Sequence, residues 1–297
     1  MSYKILTPTV TLFDNNGNLD IEGNKALIEH LIEGGVNGLV PLGSTGEFTN
    51  LNLETKKELL KLYVDTVDGR VDILAGTGSI DISECIELSN YALDLGVKGV
   101  LVIPPYYYGI DDEESYRYFD KVAKSINGNL YIYNYPARSG FDIKPETVLR
   151  LVKENRNIKG LKDSTTDVGH TKDIIYKVLP EAPDFEVYSG FDSQFIPNIC
   201  AGGAGCISAI SNIEPKMWSD WIKAAEEGDF ETIKTIQRKI DKLMELYDVQ
   251  SNVSLTFKKM LSDDGLNVSV DAIFPFNEIS DEDYKKAKEI RAIAKSL

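Results

Sequence analysis

The sequence predicts a (β/α)8 barrel with a C-terminal helical extension. Three observations predict it. Short β-rich runs alternate eight times with longer amphipathic runs, a pattern that demands parallel pairing through crossover helices. The length of 297 residues suits one such barrel plus a tail. The rival, an open doubly wound sheet, carries a Gly-rich phosphate fingerprint after its first strand. Here that position reads Phe13-Asp14-Asn15-Asn16-Gly17-Asn18, without G-x-G-x-x-G.

The strands are expected at Ile5–Leu12, Gly38–Leu42, Val71–Ala75, Gly99–Ile103, Leu130–Asn134, Ile158–Lys162, Phe185–Ser189 and Gly205–Ile210. Helical patterns lie near 21–34, 54–68, 81–95, 112–126, 145–155, 168–178, 192–200 and 214–227. Leu53 to Leu60 shows the 3.6-residue apolar period, and Asp81 and Ser83 read as helix-start residues. We expect residues 1–228 to be the catalytic barrel and 229–297 a helical extension packed on the barrel or on another subunit. In that extension Ile233, Ile236, Ile240, Leu243 and Leu246 form an apolar stripe.

Charge and composition narrow the function. Lys plus Arg number 32 and Asp plus Glu 47, a formal net charge of −15. That balance argues against nucleic acid as a partner, whose affinity needs a positive footprint, and against an anionic membrane surface. No apolar run spans a bilayer, and Met1-Ser2-Tyr3-Lys4 opens no secretory signal. Cys85, Cys200 and Cys206 cannot all pair, so a reducing cytoplasm is expected, with the thiols buried as small hydrophobes. The two histidines, His30 and His170, are too few for most metal sites or Ser-His-Asp triads. We read His170 as a surface residue and His30 as structural. No metal is expected.

Active sites of such barrels sit at the C-terminal ends of the strands. Strand two ends in Gly43-Ser44-Thr45-Gly46-Glu47, a corner whose backbone N–H groups and hydroxyls suit a small carboxylate; a tight turn with a helix cap is the plainer reading. Strand five ends in Tyr131-Ile132-Tyr133-Asn134-Tyr135-Pro136. There Tyr133 can relay protons or simply pack, as strand aromatics do. Strand six reads Ile158-Lys159-Gly160-Leu161-Lys162-Asp163-Ser164. If Lys162 faces the lumen, withdrawal from water favours its neutral amine, which can attack a ketone and form a Schiff base. Asp163 has the opposite parity and should not neutralise it. Arg138, on the loop after strand five, can clamp a carboxylate in bidentate fashion or make a surface salt bridge. Pro104-Pro105-Tyr106-Tyr107-Tyr108-Gly109 places three phenols on a rigid loop.

Taken together, Gly43-Ser44-Thr45-Gly46-Glu47, Tyr133-Asn134-Tyr135-Pro136 and Gly160-Leu161-Lys162-Asp163 resemble the dihydrodipicolinate synthase / N-acetylneuraminate lyase family in order and spacing. The resemblance covers essentially the whole chain. It implies a metal-free class I mechanism in which Lys162 forms an imine with pyruvate or a 2-keto acid. No cofactor is then needed beyond that covalent imine. It further implies that Thr45 holds the carboxylate, that Tyr133 shuttles protons with help from Ser44, and that Tyr107 is lent across a subunit interface. Gly190 and Ile207 match positions lining the pyruvate pocket. A homotetramer built as a dimer of dimers is implied as well.

Ser44 and the runs Tyr133 to Gly140 and Lys162 to Thr165 look most like the 2-keto-3-deoxy-sugar-acid aldolase branch. Arg138 also matches the arginine by which the synthases bind aspartate semialdehyde. The expected reaction is therefore reversible cleavage of a 2-keto-3-deoxy sugar acid to pyruvate and an aldehyde. Alternatives are 4-hydroxy-tetrahydrodipicolinate synthase, then N-acetylneuraminate lyase. A non-catalytic keto-acid sensor is the reading from another class, but a sensor has no use for the Schiff-base lysine.

Overall fold

The computed structural model describes residues 2–297. Its strands are β1 (Lys4–Thr7), β2 (Gly38–Leu39), β3 (Asp72–Gly76), β4 (Gly99–Val102), β5 (Leu130–Asn134), β6 (Ile158–Asp163), β7 (Glu186–Ser189) and β8 (Gly205–Ile207). They follow one another in chain order around a closed barrel, so the fold is a (β/α)8 barrel. The helices between them are α1 (Ile21–Glu33), α2 (Leu53–Val67), α3 (Ile82–Asp94), α4 (Asp112–Ser125), α5 (Pro136–Ser139), α6 (Pro145–Glu154), α7 (Val168–Val178), α8 (Phe195–Ala201) and α9 (Pro215–Glu227). The chain ends in α10 (Phe230–Leu243), α11 (Ser254–Asp263) and α12 (Asp281–Ser296).

Short polar side chains start most of these helices, because the first N–H groups need acceptors. Asp20, Asn52, Asp81, Asp167, Asp229 and Ser280 each accept from the first turn. Asp111 and Glu114 form a reciprocal capping box at α4.

The internal contacts define two compact units, one of residues 73–207 and one of residues 2–72 with 208–297. In the first, β4 to β8 pair in parallel, each with the next. The buried residues here include Val100, Val102, Leu130, Ile132, Leu161 and Val187. In strands covered on both faces, near-continuous apolar runs are expected.

In the second unit β1 pairs with β2. Trp218 and Trp221 of α9 are fully buried, their ring centroids 5.0 Å apart. Helix α10 packs on α9 and α12. Ile236, Ile240, Leu243 and Leu246 of the predicted stripe are buried, and Ile233 is half-buried. Arg291 of α12 ties the tail together, donating to Glu214 at 2.8 Å and to Asp264 at 2.6 Å.

Three strands, β1, β2 and β8, end three or more residues before the sequence expectation. Strand β1 stops at Thr7 rather than Leu12 because Pro8 has no N–H for the ladder. Beyond it, side-chain amides take over: the Val10 N–H donates to Asn212 Oδ1 (3.2 Å) and the Leu12 N–H to Asn24 Oδ1 (3.3 Å). Strand β2 ends before Leu42, which adopts a left-handed φ of 61° that no strand contains. Strand β8 gives way to a 3-10 turn at Ile210–Asn212.

Candidate active site

In the first unit, pairing of β5 with β6 sets Tyr133 opposite Lys162 and Asn134 opposite Asp163. Pairing of β6 with β7 sets Lys162 opposite Tyr188 and Asp163 opposite Ser189. Neighbouring strand residues point to opposite faces, and the partners of Asp163 identify its face. Its Oδ2 accepts from His170 Nδ1 at 2.9 Å and from Thr171 Oγ1 at 2.6 Å, both on α7. Asp163 is therefore turned toward the helical layer, and Lys162 points the other way.

Lys162 is buried, 7% exposed, with Nζ 4.4 Å from the centre of the Tyr133 ring. Among the described residues, that nitrogen makes no hydrogen bond or ion pair with another side chain. An amine withdrawn from water without a carboxylate costs stability. It is also the arrangement a nucleophilic lysine requires. Tyr133 is buried too and stacks on Tyr135 at 5.8 Å between centroids.

Behind this pair lies a polar network that the sequence did not reveal. Asn134 Nδ2 donates to Asp163 Oδ1 (2.7 Å) and to Asp142 Oδ1 (2.8 Å), and Asn134 Oδ1 accepts from the Ile143 N–H (3.2 Å). The other ring nitrogen of His170, Nε2, lies 2.8 Å from the Ile143 carbonyl oxygen. The expectation of a surface His170 is thus corrected: its side chain is 12% exposed and bridges α7, β6 and the loop before α6. Burial alone would lower its pKa, but the hydrogen bond and charge of Asp163 outweigh that and raise it to about 9. The available signal was the alternation itself, since residues flanking Tyr133 and Lys162 must fix the strand ends from the opposite face.

Gly190 follows β7 and donates its N–H to the Asp163 carbonyl at 2.6 Å. A Cβ there would fall 1.9 Å from Ser164 Oγ and 2.9 Å from Asp163 O, so only glycine allows this approach. Ile207 closes β8 and is buried. Arg138 lies exposed on the short helix α5, and Tyr107 is 79% exposed beside Tyr108. The structure thus brings Lys162 and Tyr133 together. It leaves Arg138 and Tyr107 on the surface of this unit.

Ser44 and Thr45 belong to the second unit. They form a 3-10 turn, Ser44–Gly46, with Thr45 buried and Ser44 exposed. The N–H groups of Gly46 and Glu47 close the turn. Among the described residues those of Ser44 and Thr45 have no acceptor, leaving them able to bind an anion.

The cysteine expectation holds in part. Cys85 and Cys206 are buried, but Cys200 is exposed. Burial and the nearby Asp192 push the Cys206 thiol well up, consistent with packing rather than reactivity. Among the described residues no group of three or more His, Cys, Asp or Glu side chains is placed to hold a metal ion. No helix among them is long and apolar enough to cross a membrane.

A model of the Dihydrodipicolinate synthetase family matches residues 1–294. The chain belongs to that family. It is 34% identical over 277 residues to the putative 2-dehydro-3-deoxy-D-gluconate aldolase YagE of Escherichia coli K12, covering 93% of this chain and 92% of that one. It is 37% identical over 243 residues to a 4-hydroxy-tetrahydrodipicolinate synthase of Kosmotoga olearia, covering 82% of each. Among solved structures, YagE in complex with pyruvate superposes with a TM-score of 0.95 at 33% identity, over 99% of both chains.

Proposed function

We propose that this member of the family is a Schiff-base carbon–carbon lyase. It reversibly cleaves a 2-keto-3-deoxy sugar acid to pyruvate and an aldehyde. The observation that carries the reading is Lys162: a buried amine on the face away from the helices, with no carboxylate partner among the described residues, over the Tyr133 ring. Two further points support it, the sugar-acid aldolase named among the relatives and the pyruvate bound by a structure of the same fold.

In the proposed cycle Lys162 Nζ attacks the C2 ketone, and the carbinolamine loses water to give an iminium. Tyr133 relays the proton of the C4 hydroxyl, passing its own phenolic proton to solvent through the Ser44 hydroxyl, as the C3–C4 bond breaks. The bonding electrons pass into the iminium, leaving an enamine and releasing the aldehyde. Protonation at C3 and hydrolysis return pyruvate and the free amine. In this proposal Thr45, with the free N–H groups at its corner, holds the substrate carboxylate. Ser44 assists Tyr133, while Gly190 and Ile207 border the keto-acid head. No metal or cofactor is invoked. The exposed Tyr107 and Tyr108 support a homotetramer in which Tyr107 is lent to a neighbour, and three free cysteines support a cytoplasmic setting.

A second reading, 4-hydroxy-tetrahydrodipicolinate synthase, is favoured by Arg138, which could bind the acidic end of aspartate semialdehyde, and by the synthase relative. A retro-aldol panel of keto-deoxy sugar acids, run beside a condensation assay of pyruvate with aspartate semialdehyde, tests the choice. Release of pyruvate from a sugar acid with the larger kcat/KM supports the aldolase. A larger kcat/KM in the condensation overturns it.

A further inference from the structure

The corner that ends strand β2 is held from the C-terminal tail. Glu47 sits in the left-handed region, φ 58° and ψ 31°, a conformation that a non-glycine residue adopts only when its surroundings impose it. Its carboxylate has no contact with water. Oε1 accepts from Lys258 Nζ of α11 at 2.6 Å, and Oε2 accepts from the Ile273 N–H at 3.0 Å. Lys258 is fully buried, donates also to the Asp271 carbonyl at 2.9 Å, and lies 4.8 Å from the centre of the Phe13 ring. Two residues from Glu47, the Thr45 carbonyl oxygen lies 2.6 Å from the Ser254 hydroxyl, at the first position of α11. The Gly46 carbonyl accepts from Thr11 Oγ1 at 2.8 Å.

A buried ion pair is a poor device for stability alone, since well-packed apolar residues usually do as well. This one fastens the strained residue of the corner, and a separate hydroxyl fastens the peptide of Thr45. We infer that Lys258 and Ser254 are positioning residues: helix α11 sets the Ser44–Thr45 corner in the shape that binds the keto-acid carboxylate. The inference rests on the proposed role of Thr45. It makes the extension a working part of substrate binding, where the sequence suggested packing only.

The test measures the pyruvate concentration that half-saturates borohydride trapping on the full chain, together with the thermal midpoint. Ser254→Ala should keep the wild-type midpoint within a few degrees and reach the same trapping at saturation. Its half-saturating pyruvate should rise about fivefold, the worth of one hydrogen bond. Lys258→Met should be less stable and bind pyruvate weakly. The double variant Glu47→Leu/Lys258→Met should regain stability without regaining pyruvate affinity. If the double variant regains both, or Ser254→Ala leaves half-saturation unchanged, α11 is structural and the inference is overturned. A wild-type protein that traps no pyruvate at any concentration overturns the Schiff-base reading itself, and this inference with it.

Discussion

Lys162 and Tyr133 stand side by side on adjacent parallel strands, in register, with the lysine Nζ 4.4 Å from the centre of the phenol ring. Their immediate neighbours, Asp163 and Asn134, are also in register and hydrogen-bond to each other at 2.7 Å on the opposite face. One pair carries the proposed chemistry, and the other ties together the strand ends that bear it.

Removing the Tyr133 hydroxyl should separate the two steps assigned to this site. Tyr133→Phe keeps the ring against Lys162 but cannot accept or donate a proton. Turnover should fall about 10²- to 10³-fold, with much less change in the rate of imine formation with pyruvate. Stopped-flow turnover compared with borohydride trapping checks this. Equal losses in both would reassign the phenol to positioning.

Gly190→Ala should be among the most damaging single-carbon changes. The new Cβ would meet Ser164 Oγ and the Asp163 carbonyl, and backbone cannot move aside as a flexible side chain can. The expected cost is on the order of 1–3 kcal/mol of stability, with a drop in kcat because Asp163 adjoins Lys162. Urea unfolding and steady-state kinetics on the same preparation decide it. An alanine variant with unchanged kcat would show that the β6 end tolerates displacement.

The His170 bridge gives stability a pH signature. Its pKa rises from 6.5 to about 9 on folding, so the protonated ring stabilises the native state. That contribution is complete below pH 6.5 and is lost as pH rises through about 9. The groups facing the ring are the carboxylates of Asp163 and Asp142 and the Ile143 carbonyl. Unfolding midpoints from pH 6 to 10 should therefore fall more steeply for the wild type than for His170→Gln. Parallel curves would mean that the ring stays neutral throughout.

Replacing Arg138 should discriminate between the two proposed substrates. Under the synthase reading Arg138→Ala should raise KM for an acidic aldehyde about tenfold, the worth of a charged hydrogen bond. KM for a short neutral aldehyde should change little. Under the aldolase reading neither should respond strongly. KM values for both aldehydes in wild type and variant settle the matter.

Much of the fold was legible because it is written in period and alternation. Strand β5 has the bounds that its alternation predicts, and parity alone puts Lys162 and Asp163 on opposite faces. Local pattern misleads where a distant partner decides the outcome. His170 looks like a surface residue until Asp163 and Ile143, 7 and 27 positions away, are brought to it. Glu47 looks like the end of a motif until Lys258, 211 positions on, is folded against it. Strand β1 is shorter than its apolar run because asparagine side chains, rather than a strand ladder, satisfy the backbone beyond Pro8. Local pattern carries no information about which remote side chain will supply a hydrogen bond.

Lys162 is the proposed nucleophile. The decisive measurement is to incubate the protein with pyruvate, reduce with borohydride and map the modified peptide. One adduct is expected, on Lys162, absent from Lys162→Ala. An adduct that persists in that variant, or a wild type that forms none, would contradict it.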